Sequence, residues 1–138
     1  MSLELKRVEK PFSFALKDSK GNICMLDASE SIGGNGMGFR PMELLAGSLA
    51  GCASIDIVNI LKKQRIEPDL FEIEINYVRK DEVPAVFDSI ELVIRIDDSI
   101  DRVKLSKNVE LVLEKHCSVI GSLDKKINIT YKIVGRND

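Results

Sequence analysis

Two cysteines remote along the chain, Cys52 and Cys117, are the residues best suited to chemistry. A pair of thiols can cycle between dithiol and disulfide, and the thiolate form of one can attack an electrophile. Cys52 lies within Ala50-Gly51-Cys52-Ala53-Ser54, and Cys117 follows Glu114-Lys115-His116. Both have a plainer reading as core filling, because free cysteine is among the most buried residue types. A thiolate in an apolar helix needs a nearby cation or hydrogen-bond donor. Cys117 at a helix C-terminus would meet the negative end of the dipole, which suits a resolving thiol. If it instead opened a short helix through Val119–Leu123, the sign would reverse. Cys24, in a short apolar strand, reads as structural. The single histidine, His116, reads as a solvated surface residue, since helical neighbours point in different directions.

The acids near these thiols are ambiguous. Glu43 sits in the first turn of the helix that carries Cys52, where a carboxylate complements the dipole. Nine residues separate it from Cys52, a rotation of about 900°, so the two lie on opposite faces. Glu43 would serve Cys52 only through a bend, or by facing a site completed by a second chain. Asp56 and Ser48, at i+4 and i−4 of Cys52, are better placed, but a carboxylate there opposes a thiolate. Three cysteines are too few for a disulfide scaffold, and with one histidine and no C-x-x-C the chain lacks a zinc or iron–sulfur ligand set. No metal or bound cofactor is expected.

The elements that position these residues can be read from periodicity. Residues 3–8 and 12–16 alternate as strands, Asp18–Asn22 reads as a hairpin turn, and Ile23–Leu26 as its second strand. Ser29–Gly38 carries glycines at 33, 34, 36 and 38 and reads as loop. A helix starts at about Pro41 and runs to Gln64, with Lys62 and Lys63 complementing its C-terminus. It is apolar on almost every face, so it is expected to be central and covered on several sides. Strands follow at Phe71–Val78 and Ser89–Ile96, a helix over 101–116, and a strand at Ile127–Ile133. The order gives a single α+β domain over 1–138.

At 138 residues the chain suits one core. Its 44% apolar and 30% charged composition excludes a disordered tail. A net charge of −2 gives no field to attract nucleic acid or anionic lipid, and the absence of Trp argues against a base-stacking platform. No signal-peptide pattern and no apolar run of membrane-spanning length is apparent, which points to the cytoplasm and away from a membrane.

The stretch Pro41-Met42-Glu43-Leu44-Leu45 with Leu49-Ala50-Gly51-Cys52 resembles the OsmC/Ohr family helix, which typically begins Pro-Glu-x-Leu and carries the peroxidatic cysteine. His116-Cys117-Ser118-Val119 resembles the family's second cysteine motif, usually Cys-Pro. The Arg79–Phe87 connection, the helix after it and the final strand also fit, especially the YhfA-like branch. The resemblance spans nearly the whole chain. It implies an OsmC-like fold with antiparallel sheets around a buried central helix, in an intertwined homodimer with active sites at the subunit interface. It further implies a thiol-dependent peroxidase reducing organic hydroperoxides, with Cys52 becoming a sulfenic acid and Cys117 condensing with it. An external thiol reductant then opens the disulfide.

Three positions depart from the family pattern. The glutamate that usually follows the proline directly is here Met42, with Glu43 one residue later. The N-terminal arginine expected near Phe14–Asn22 is represented only by Lys17 and Lys20, leaving Arg79 and Arg40 as candidate substitutes. Cys-Pro has become Cys117-Ser118. These departures motivate an alternative, a non-catalytic redox sensor or small hydrophobic-ligand carrier on the same scaffold. A third reading is an interaction protein whose cysteines only fill the core.

Overall fold

Alternation of apolar and polar residues makes the first strands, and turn chemistry sets their register. In the computed structural model, which describes all 138 residues, β1 (Glu4–Glu9), β2 (Ser13–Lys17) and β3 (Ile23–Leu26) form an antiparallel sheet in the order β1-β2-β3. The β2–β3 turn is held by Asp18, whose carboxylate accepts the backbone N–H groups of Lys20 (2.8 Å) and Asn22 (2.9 Å) and the Asn22 side-chain amide (2.7 Å). Gly21 supplies the left-handed residue of this turn, at φ 91°. Cys24 pairs with Leu16, which pairs with Leu5, so it occupies a sheet position among apolar neighbours.

The glycine-rich segment is ordered around one buried acid. Asp27 accepts the Ser13 hydroxyl (2.8 Å) and the backbone N–H groups of Ala28 (2.7 Å), Met37 (3.1 Å) and Asn35 (3.3 Å). Burial alone would raise its pKa. The hydrogen bonds outweigh that and hold it below the usual carboxylate value. Phe39 returns beside β3, donating to Met25 O (2.9 Å) and accepting from Asp27 N (3.0 Å). Gly38 permits this approach, since a Cβ there would lie 2.5 Å from the Met25 carbonyl.

The chain divides into two compact units, Met1–Leu45 and Ala46–Asp138, with the boundary inside α1 (Pro41–Lys63). The second unit holds most of α1, then β4 (Phe71–Arg79), β5 (Phe87–Ile96), α2 (Arg102–Leu111), α3 (Ser118–Ser122) and β6 (Asn128–Val134). Strict alternation on β5 buries Ile90, Leu92, Ile94 and Ile96 on one face. Register places Ile73 and Ile133 beside Ile94, and Ile75 and Tyr131 beside Leu92. The core is completed by Ala46, Leu49, Ala50, Ala53, Ile57 and Leu61 of α1 and by Leu105 and Val109 of α2.

The architecture is the expected α+β fold, two sheets with an apolar helix, but one pairing differs. β4 and β5 are antiparallel, whereas β5 and β6 are parallel. The helical segment between β5 and β6 makes the crossover that parallel strands require. The helix expected over 101–116 is present, but its last turn, Val112–His116, is widened to π geometry.

A second correction concerns α1. By length and composition it is apolar enough to cross a membrane, at mean hydropathy 1.7, with 33% of that window buried. The expectation of no such run is therefore overturned; Asp56, Gly47 and Gly51 interrupt the apolar stretch without lowering its mean enough. One stripe of α1 is covered within the chain. The opposite stripe, Ser48, Gly51, Ile55 and Asn59, is exposed, with Ile55 at 71%.

Candidate functional site

The thiol pair is built from α1 and the junction that precedes α3. Cys52 is half-buried, one residue before the fully buried Ala53. Ser54 is accommodated by donating its hydroxyl back to Ala50 O (2.7 Å). Cys117 is buried, at 6% exposure, and takes an extended conformation between two helical segments. Its N–H closes the π turn onto Val112 O (2.9 Å), and its carbonyl accepts from Gly121 N (3.0 Å). The widened turn therefore ends at Cys117, and the same residue caps α3. Both sequence alternatives for Cys117 hold at once.

Folding places Cys52 among the groups that act on the Cys117 thiol. Burial is the largest influence on the Cys117 thiol and pushes its pKa above the ordinary 9.0. The backbone N–H groups of Ile120 and Val119 oppose this, while Cys52 raises it further by hydrogen bonding and by charge. Cys117 therefore holds its proton more firmly than an ordinary thiol.

A cavity of about 460 Å³ opens beside Cys117, walled by Leu113, Ile120, Ile127 and Ile129 with Lys115 and Lys125 among its polar residues. His116 is exposed in the π turn. No group of His, Cys, Asp and Glu is arranged to hold a metal ion.

The other candidate residues are placed elsewhere by their local bonds. Glu43 is the third residue of α1, and its carboxylate reaches back to the N–H of Arg40 (3.0 Å), half of a capping box. Its other oxygen pairs with the Arg40 guanidinium (3.4 Å). Arg79, at the end of β4, donates Nε to Ala85 O (2.8 Å) and closes the β4–β5 connection. Arg40 and Arg79 thus have structural partners of their own. Sequence reasoning missed Asp27 and the Gln64–Asn108 amide pair, which joins the segment after α1 to α2 at 2.9 and 3.1 Å. An acid immediately before a glycine-rich loop was the available signal for Asp27. Nothing in the sequence pairs residues 64 and 108.

The family profile described as OsmC-like protein matches residues 33–132, more than half of the chain. The chain belongs to the OsmC-like family. Among curated relatives, Protein YhfA of Escherichia coli K12 is 35% identical over 92 residues, covering 66% of this chain and 69% of YhfA. Among solved structures, a putative osmotic stress induced and detoxification response protein from Psychrobacter arcticus 273-4 superposes with TM-score 0.87 at 20% identity, covering 97% of this chain and 96% of the other. An organic hydroperoxide resistance protein OsmC from Legionella pneumophila superposes with TM-score 0.71 at 15% identity, covering 96% of both. At these identities the two structures establish the OsmC-like fold. The thiol pair itself rests on this chain's own geometry.

Proposed function

We propose that Cys52 and Cys117 form a redox centre that reduces organic hydroperoxides at the expense of an external thiol. The observation that carries this reading is the meeting of two thiols from distant elements, one of which holds its proton. Cys52 attacks the terminal oxygen of the hydroperoxide as a thiolate. The O–O bond breaks, the alkoxide leaves and is protonated to the alcohol, and Cys52 becomes a sulfenic acid. The Cys117 sulfur then displaces hydroxide from the sulfenic sulfur, which departs as water with the Cys117 proton, leaving a Cys52–Cys117 disulfide. Two equivalents of external thiol restore the dithiol and are themselves oxidised to a disulfide.

Members of this family are commonly dimeric, and the exposed stripe of α1 around Ile55 and Gly51 supports a homodimer here. A bare isoleucine and small residues would let a second helix approach closely. A reducing cytoplasm is the compartment that this cycle requires. The test is steady-state reduction of cumene hydroperoxide with dithiothreitol. Wild type turns over, Cys52→Ser does not, and Cys117→Ser forms no intramolecular disulfide when hydroperoxide is added without reductant. Equal turnover by wild type and Cys52→Ser would end this reading.

One observation favours a second reading, carriage of a small hydrophobic ligand. A cavity of about 300 Å³ in the first unit is lined almost entirely by apolar residues, Leu5, Phe12, Phe14, Leu26 and Pro41 among them. Native mass spectrometry of purified protein that retained an apolar ligand and lacked turnover would support it.

A further inference from the structure

We propose that the cavity walled by Leu113, Ile120, Gly121, Ile127 and Ile129 is the docking site of the reducing thiol, which attacks the disulfide at Cys117 and expels Cys52. The inference builds on the redox cycle above and assigns its last step to a place and a direction.

Cys117 lies on the wall of this cavity, whereas Cys52 does not line it. A small thiol with an apolar body can therefore rest against the four aliphatic residues while its sulfur approaches Cys117. Gly121 is also part of the wall, and a Cβ built there meets nothing within 4 Å, so the space in front of α3 is open. Thiol–disulfide exchange needs the attacking, central and leaving sulfurs in line. Approach from the cavity makes Cys117 the central sulfur and Cys52 the leaving one. The chemistry agrees with the geometry. The burial that makes Cys117 a reluctant thiolate also makes it a poor leaving group, so expulsion of Cys52 is the faster direction.

The first thiolate forms a bond to Cys117 Sγ as the Cys52–Cys117 bond breaks, and the electron pair goes to Cys52. The attacking nucleophile of the peroxidase cycle is thereby regenerated in one step. A second thiolate attacks the sulfur of the bound reductant, forming its disulfide and releasing Cys117, which takes up a proton. Lys115 and Lys125, balanced by Glu114 and Asp124, leave the rim without a strong preference for the reductant's charge.

The test uses protein oxidised with diamide, so that it does not depend on hydroperoxide activity. Limiting 2-mercaptoethanol is added, the reaction is quenched with iodoacetamide, and the adduct is mapped by mass spectrometry. The expected product carries mercaptoethanol on Cys117 and a carbamidomethyl group on Cys52. Mercaptoethanol on Cys52 would overturn the proposal, as would failure of diamide to join the two cysteines. Gly121→Trp, which fills the cavity, should slow reduction of the disulfide by about tenfold or more in native protein and leave it unchanged in urea. An unchanged native rate would also overturn it. Loss of hydroperoxide turnover with normal mapping would instead count against the peroxidase reading alone.

Discussion

Replacing Gly51 with leucine should drive stability and assembly in opposite directions. Gly51 is exposed on α1, and a Cβ at this position meets nothing within 4 Å in the chain. Glycine in a helix interior is about 0.8–1.0 kcal/mol worse than alanine, and leucine is nearly as good as alanine. Were this face open to water, Gly51→Leu would stabilise the fold by about that amount and raise Tm by about 2–8 °C. In the proposed homodimer the face is instead covered by the α1 of a second copy. A leucine forced into a packed contact destabilises by about 1–3 kcal/mol, and an isologous interface presents it twice, about 2–6 kcal/mol per dimer. The helix-propensity gain is common to monomer and dimer, so it does not offset this loss. Dimerisation should weaken by about 30-fold or more, at one decade per 1.4 kcal/mol. Sedimentation velocity over a concentration series measures it directly. A variant that sediments as wild type and melts higher would refute the covered-face argument.

Three further outcomes follow from individual contacts. Glu43→Ala removes the acceptor for Arg40 N–H and should lower unfolding free energy by about 1 kcal/mol in a urea titration, as loss of a helix cap does. Asp27 and Asp97 are both held below the usual carboxylate value, Asp97 mainly by the Leu70 N–H and also by Asp69 N–H and Arg136. A depressed folded pKa contributes stability that is present above the unfolded value of 3.8 and lost as pH falls through the folded one. Acid unfolding followed by circular dichroism should therefore begin below that value. Ser13→Ala, which removes a donor to Asp27, should shift its onset to higher pH. In Cys52→Ser, alkylation of Cys117 by iodoacetamide should still be climbing above pH 9, because burial, the larger influence, remains. A plateau below pH 9 would contradict the placement of Cys117.

Most elements were legible because their signals are local. The alternation of β4 and β5, the Asp18–Asn22 turn and Pro41 at the first position of α1 each fix a short segment by its own chemistry. The parallel pairing of β6 with β5 was missed although a strand, a helix and a strand occur in sequence there. Ile127–Ile133 alternates like an antiparallel strand, and alternation does not encode direction. The division into two units was not legible either, since its boundary falls within a continuous helix. For the site, the two cysteines stand out by motif, whereas the widened turn at Val112–His116 that ends at Cys117 is announced by no residue type. Glu43 and Arg79 were singled out for their charge. Capping and hairpin bonds that occupy them become visible only when the backbone around them is known.

The central claim is tested most directly by adding one equivalent of cumene hydroperoxide to the reduced protein, digesting without reductant and mapping cross-linked peptides by mass spectrometry. The expected product is a peptide pair joined through Cys52 and Cys117, with Cys24 remaining a free thiol. Recovery of Cys52 and Cys117 as separate, unlinked peptides would contradict the claim.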